Sequence, residues 1–183
     1  MVEIAGSAYE AMKNAEDCTL TAVAMKNVIK GYGDEYLKPT FSFLNDLSEE
    51  FSHTDAGQQL KSAREYVRTH LAALCDFVEQ NRKQTAVNFV LDAYNGKVDS
   101  ILSKVKKDNY GILEQKIKDS FSIVNNNGRA FRNAEITRDY LNSRLEELKW
   151  AVIVHELKWQ EKEEQRLIRE QIREEEKARR EYE

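Results

Sequence analysis

The chain has 183 residues, of which 41% are hydrophobic and 33% charged, with one proline and seven glycines. A chain of this length buries a core without disulfide or metal staples, and so few backbone breakers favour long helices over many loops. The net charge of −4, from 28 basic and 32 acidic residues, lacks the bulk signature of a nucleic-acid binder.

The first segment places Ile4, Ala8, Ala11, Ala15, Cys18, Ala22, Met25 and Ile29 at alternating spacings of four and three. That is a heptad seam on a helix, and its alanines allow close approach of another helix, whether from a partner or from the domain's own core. Gly31 is placed to stop this helix, with Tyr32-Gly33-Asp34 continuing as a turn. A short helix is expected after Pro39, carrying Phe41, Leu44, Leu47 and Phe51. Thr54 or Asp55 can cap the next helix, whose apolar face reads Leu60, Ala63, Val67, Leu71, Leu74 and Val78. Beyond a break near Asn81, another face reads Val87, Leu91, Tyr94, Val98, Ile101 and Val105. The stretch Asp108-Asn109-Tyr110-Gly111 is a turn, and Leu113, Ile117, Phe121 and Val124 mark a further core helix. Asn125-Asn126-Asn127-Gly128 is expected to end that helix, since Asn and Gly tolerate left-handed backbone.

Thr137 caps a final helix with Leu141, Leu145, Leu148, Val152 and Trp159 as its buried stripe. From Gln160 to Glu183 the sequence holds 7 basic and 9 acidic residues, with Leu167, Ile168 and Ile172 its remaining large aliphatics. Pairs such as Glu175 with Arg179 and Glu176 with Arg180 support a helix there. A solvated single helix and a coiled coil fit this run equally well. No alternation of strand period is present, so the fold expected is all-α: a compact multi-helix domain over residues 1–159 and a charged helical extension over 160–183.

Cys18 and Cys75 lie in separate helical patterns without a nearby partner and read as reduced core thiols of a cytoplasmic protein. There is no basic start followed by an apolar leader, and the longest clean apolar run, Trp150 to Val154, is too short to span a bilayer. None of His53, His70 and His155 has a ligand at metal-binding spacing, and His70 and His155 read as partly buried packing residues. No nucleophile elbow, P-loop or dinucleotide-binding glycine pattern occurs, so neither catalytic residue, metal, cofactor nor small-molecule substrate is expected.

Two polar stretches stand out. Lys97, Lys104, Lys106, Lys107, Lys116 and Lys118 outnumber Asp99, Asp108 and Glu114, giving a local excess of positive charge that can touch phosphates or serve as a solvated helix face. The run Asn125 to Asn133, with Asn126, Arg129 and Arg132 as candidate contacts, suits either phosphate or partner binding, or side-chain-to-backbone bonds that tie helices together.

The stretches AMKNVIKGYGDEYLKP (24–39), CDFVEQNRKQTAVNFVLDAYNGKVDSILSKVKKDNYG (75–111), IVNNNGRAFRNAEI (123–136) and YLNSRLEELKWAV (140–152), with the charged run 161–183, resemble a helical domain of bacterial and phage proteins that precedes GIY-YIG nuclease domains. The resemblance implies a non-catalytic module that positions or regulates an associated nuclease, in phage defence or mobile-element biology. It brings no catalytic residues with it, and Gly31-Tyr32-Gly33 with Tyr110-Gly111 does not reproduce the nuclease's own tyrosine motifs. The nuclease domain would follow the charged helix. The alternative is a stand-alone nucleic-acid-binding module using the lysines with Arg129 and Arg132. Self-association through the terminal helices is expected in addition, with DNA or a phage or host protein as further candidate partners.

Overall fold

The structure, a computed structural model, describes residues 2–38, 51–106 and 108–182. The expected helix carrying Phe41, Leu44 and Leu47 after Pro39 lies outside these residues, as do Lys107 and the side chain of Ile4. In chain order the elements are α1 (Val2–Lys30), a 3-10 turn (Asp34–Tyr36), α2 (His53–Thr69), β1 (Ala73–Leu74), α3 (Gln80–Leu102), α4 (Tyr110–Gly128), a second 3-10 turn (Arg129–Phe131), β2 (Glu135–Ile136) and α5 (Arg138–Tyr182). The fold is all-α, with a long C-terminal helix. A sheet was not expected, and the one formed among the described residues is minimal: Ala73 pairs with Ile136 and Leu74 with Glu135 in an antiparallel ladder.

Local chemistry explains most of the boundaries. Gly31 stops α1 with a φ of +91°, its N–H donating to the Asn27 carbonyl at 2.8 Å. The cap of α2 is Ser52, two residues before Thr54 and three before Asp55; Asp55 instead supplies the far half of a capping box, its carboxylate accepting from the Ser52 N–H at 3.2 Å. Asn109 closes the α3–α4 connection, accepting from the Lys106 N–H at 3.1 Å and donating to the Lys104 carbonyl at 2.8 Å. Thr137 caps α5 as expected, its hydroxyl accepting from the Tyr140 N–H at 3.2 Å.

Two boundaries differ from the sequence reading. α2 ends at Thr69, so Leu71, Leu74 and Val78 do not continue its face and are 66%, 44% and 100% exposed. The competing interaction is with the start of α5: Thr137 donates its hydroxyl to the Leu71 carbonyl at 3.0 Å and its N–H to the Ala72 carbonyl at 2.9 Å. At the other boundary, α4 runs through all three asparagines to Gly128, which keeps a right-handed φ of −63°. The left-handed positions are Arg132 and Asn133, further on.

The main core gathers Val90, Tyr94 and Val98 of α3, Ile117 of α4, Ile136 of β2 and Leu148 of α5, each nearly inaccessible. A second cluster joins Ala56 of α2 to Trp150, Ile153 and Leu157 of α5, with Phe51 edge-on to Trp150 at 5.6 Å. α5 therefore serves both clusters. Its buried stripe ends at Leu157, and Trp159 is 43% exposed rather than buried. Cys75 is buried but Cys18 is exposed, with the Arg129 guanidinium of the body 4.0 Å from its sulfur. His70 and His155 are also exposed, with His70 stacked on Tyr66 instead of packed in a core.

Two glycines separate steric need from mere tolerance. A Cβ on Gly128 would lie 1.8 Å from the Ala134 carbonyl oxygen, whereas one on Gly96, mid-helix in α3, would meet nothing within 4 Å. Gly128→Ala should cost about 3 kcal/mol in urea unfolding, and Gly96→Ala should gain about 0.5 kcal/mol. Equal effects of the two would refute this account of the α4 turn.

Candidate functional site

The hinge between α1 and the body is polar. Thr21, Ala24 and Asn27 are the buried residues of α1 among those described, spaced along its docked face. Asn27 donates to the Asp119 carboxylate of α4 at 2.9 Å and to the Tyr36 hydroxyl at 3.0 Å. Gln115 donates to the second Asp119 oxygen at 2.8 Å. Burial pushes the Tyr32 hydroxyl well above the usual tyrosine range, and the Asp119 charge beside it adds to the effect. Lys116 places its ammonium 5.0 Å from the Tyr32 ring centre. Beside this network lies an open cleft of about 640 Å³ lined by Val28, Tyr32, Asp92, Lys97, Lys116 and Ser120 among others.

Lys97 thus faces a cleft, near the C-terminal end of α3. Lys104 and Lys106 follow in the connection, both exposed, so the described lysines share one end of the α3–α4 hairpin. Arg129 and Arg132 belong to the other end. Phe131 between them meets Phe89, from the first half of α3, with ring centres 5.1 Å apart. The 19 residues of α4 separate the two groups, roughly 28 Å at 1.5 Å per residue. The lysines and arginines therefore do not form one continuous phosphate-binding surface.

The amide-rich stretch is largely structural. Asn125 clamps β2 with both ends of its amide, accepting from the Ile136 N–H at 2.8 Å and donating to its carbonyl at 3.1 Å. Asn133 donates to Asp76 at 2.7 Å, while the Asp76 N–H donates to the Arg132 carbonyl at 2.8 Å. Arg129 reaches Asp17 of α1 at 3.5 Å. Asn126 is half-buried and Arg132 exposed, and neither side chain has a hydrogen bond or ion pair among the described residues.

Sequence reasoning missed two groups that hold the helices in place. Arg144, 6% exposed, bonds Asp99 of α3 and pairs with Glu147 at 3.0 Å, and Glu147 also receives Arg64 of α2 at 3.1 Å. Glu114 of α4 binds Lys38 at 2.5 Å and Lys118 at 2.6 Å. Burial raises the Glu114 carboxyl, but the hydrogen bonds from Lys118 and Lys38 outweigh it and hold the pKa below the usual glutamate value. Among the described residues no group of His, Cys, Asp or Glu could hold a metal ion, and no helix is long and apolar enough to cross a membrane.

What these helices define is an all-α domain from which one helix projects at each end. Residues 48–159 match the family described as the SNIPE associated domain, and since this is well over half of the chain, the protein belongs to that family, which is associated with GIY-YIG nucleases. The match takes in α2 to α4 and the part of α5 that ends at Trp159, leaving α1 outside it. No curated protein and no solved structure matches the chain.

Arg129→Ala should lower the unfolding free energy by at most about 1 kcal/mol, through loss of the Asp17 pair, while Arg132→Ala should leave it unchanged. A larger loss at Arg132 in thermal melts would contradict these roles. Glu114→Gln should cost about 1 kcal/mol at neutral pH. Because the folded-state pKa is depressed, the wild-type advantage is present above the ordinary glutamate range and is lost as pH falls through and below it. Urea titrations at pH 7 and pH 3 should show the gap closing; a constant gap would count against the Glu114 pairing.

Proposed function

We propose that the chain is a non-catalytic helical module that positions or regulates an associated GIY-YIG nuclease, in phage defence or mobile-element biology. Membership of the SNIPE associated domain family supports the setting. The observation that carries the mechanical part is the continuity of α5, which leaves the core at Leu157 and runs without interruption to Tyr182. The 25 residues beyond Leu157 extend roughly 37 Å at 1.5 Å per residue. A helix anchored in a core at one end holds whatever it carries at a set distance and rotation, which a flexible tether cannot do. In this reading the chain itself cleaves no nucleic acid. DNA binding by the chain alone is the weaker reading, since its candidate cations divide between two ends of the hairpin.

The test joins a GIY-YIG nuclease domain after Glu183 and compares it with the same domain joined through a Gly/Ser linker of equal length in place of 160–183. Cleavage of supercoiled plasmid with magnesium should differ several-fold between the two, and the unfused chain should cleave nothing. Equal rates would overturn the positioning role. Cleavage by the unfused chain that persists through purification and is lost on a point substitution would overturn the non-catalytic one.

A further inference from the structure

The cleft beside the α1 hinge holds groups that neither packing nor the bonds between helices account for. α1 and α3 both lie on α4, and the cleft of about 640 Å³ opens between them. Sites for small molecules and cofactors commonly measure about 300–1,000 Å³. Two lysines face the cleft from different helices, Lys97 of α3 and Lys116 of α4, and neither has an ion pair among the described residues. Asp92 lines the same cleft without pairing with either lysine, and the Asp119 carboxylate behind Tyr32 is taken up by Asn27 and Gln115. The Lys116 ammonium rests 5.0 Å from the Tyr32 ring centre, so its position is set before any ligand arrives. Gly96 also lines the cleft. A glycine in mid-helix is destabilising relative to alanine, yet a Cβ on Gly96 would meet nothing within 4 Å, so packing does not require it. With Ala93 one turn earlier, it leaves a shelf where a flat group can lie close to the α3 backbone.

We infer that this cleft binds a small phosphate monoester, its phosphate between Lys97 and Lys116 and a flat, largely apolar body on the Gly96 shelf. A phosphate monoester carries nearly two negative charges at neutral pH and so matches two ammonium groups, whereas a carboxylate matches one. Ser100, one turn beyond Lys97, adds a hydroxyl on the same wall. Asp92 repels a second anionic group, which disfavours diphosphates and triphosphates, and it can accept from a hydroxyl or amino group on the ligand body. Val28 of α1, 63% exposed, and Ala93 of α3 offer that body apolar contact from the two sides. A nucleoside monophosphate combines these features in one molecule. A polynucleotide fits less well, because each phosphodiester carries a single charge and its neighbours would have to pass Asp92. This inference is independent of the nuclease reading, because it requires only the chain's own cleft.

Equilibrium dialysis of the whole chain against AMP at low salt tests it, with inorganic phosphate, adenosine and a single-stranded oligonucleotide lacking terminal phosphates alongside. AMP should bind, inorganic phosphate should bind more weakly and compete with it, and adenosine should bind least. Lys97→Gln and Lys116→Gln should each weaken AMP about tenfold, the value of one charge-assisted hydrogen bond, while melting of the unliganded body is retained. Gly96→Leu should keep phosphate binding but remove the advantage of AMP over it, because the shelf is filled. No binding of AMP at millimolar concentration would overturn the proposal. So would AMP binding that is unchanged in both lysine variants. An oligonucleotide that binds more tightly than AMP and is lost with the same lysines would assign the cleft to nucleic acid instead and equally overturn it.

Discussion

The arrangement of the helices depends on the burial of one guanidinium. Arg144 is buried on α5, the helix that serves both apolar clusters, and a buried charge left without a partner costs several kcal/mol. Its partners come from its own helix at Glu147 and from α3 at Asp99, and Glu147 is held in turn by Arg64 of α2. Apolar side chains tolerate small slides and rotations, but these bonds do not. α2 and α3 are thereby fixed in register against α5. The network is not fully satisfied, since the Tyr94 hydroxyl and Arg144 Nε are buried without a hydrogen-bond partner among the described residues, and that desolvation is a cost the packing around them must offset.

α1 is attached on different terms. Where the body is joined by Val, Ile, Leu and Tyr, α1 contributes Thr21, Ala24 and Asn27, and its tightest bond is a side-chain amide on a buried carboxylate. Such contacts are directional and add little hydrophobic stabilisation. The family match, which begins at residue 48, also leaves this helix outside. α1 is thus joined to the domain by specificity more than by bulk burial.

The main helices of the body were legible because their cores repeat at helical spacing, as with Leu113, Ile117, Phe121 and Val124. Gly31 and Thr137 marked a stop and a start through chemistry that acts within one turn. The end of α2 was not legible, since Leu71 and Leu74 keep the helical period while the bonds that break it come from Thr137, 66 residues away. The two-residue ladder is too short to alternate detectably. Asp119, Arg144 and Glu147 read as solvated helix charges because each shares a helix with many true surface charges, and their partners lie far along the chain. The seam was legible as a pattern, but not the direction it faces, which depends on where the polar docking residues fall. Of the candidate contacts, Arg129 has a structural partner, whereas the lysines stay apart from it because α4 intervenes.

The continuity of α5 has a consequence for phase. A helix advances about 1.5 Å and turns about 100° with each residue, so length and angle cannot be changed separately. Inserting two residues in the exposed segment would barely lengthen the rod yet would swing any cargo to nearly the opposite side. Inserting seven would add about 10 Å and return it close to its starting bearing. Evolution of such an arm is therefore expected to tolerate length changes in whole heptads far better than in small odd steps.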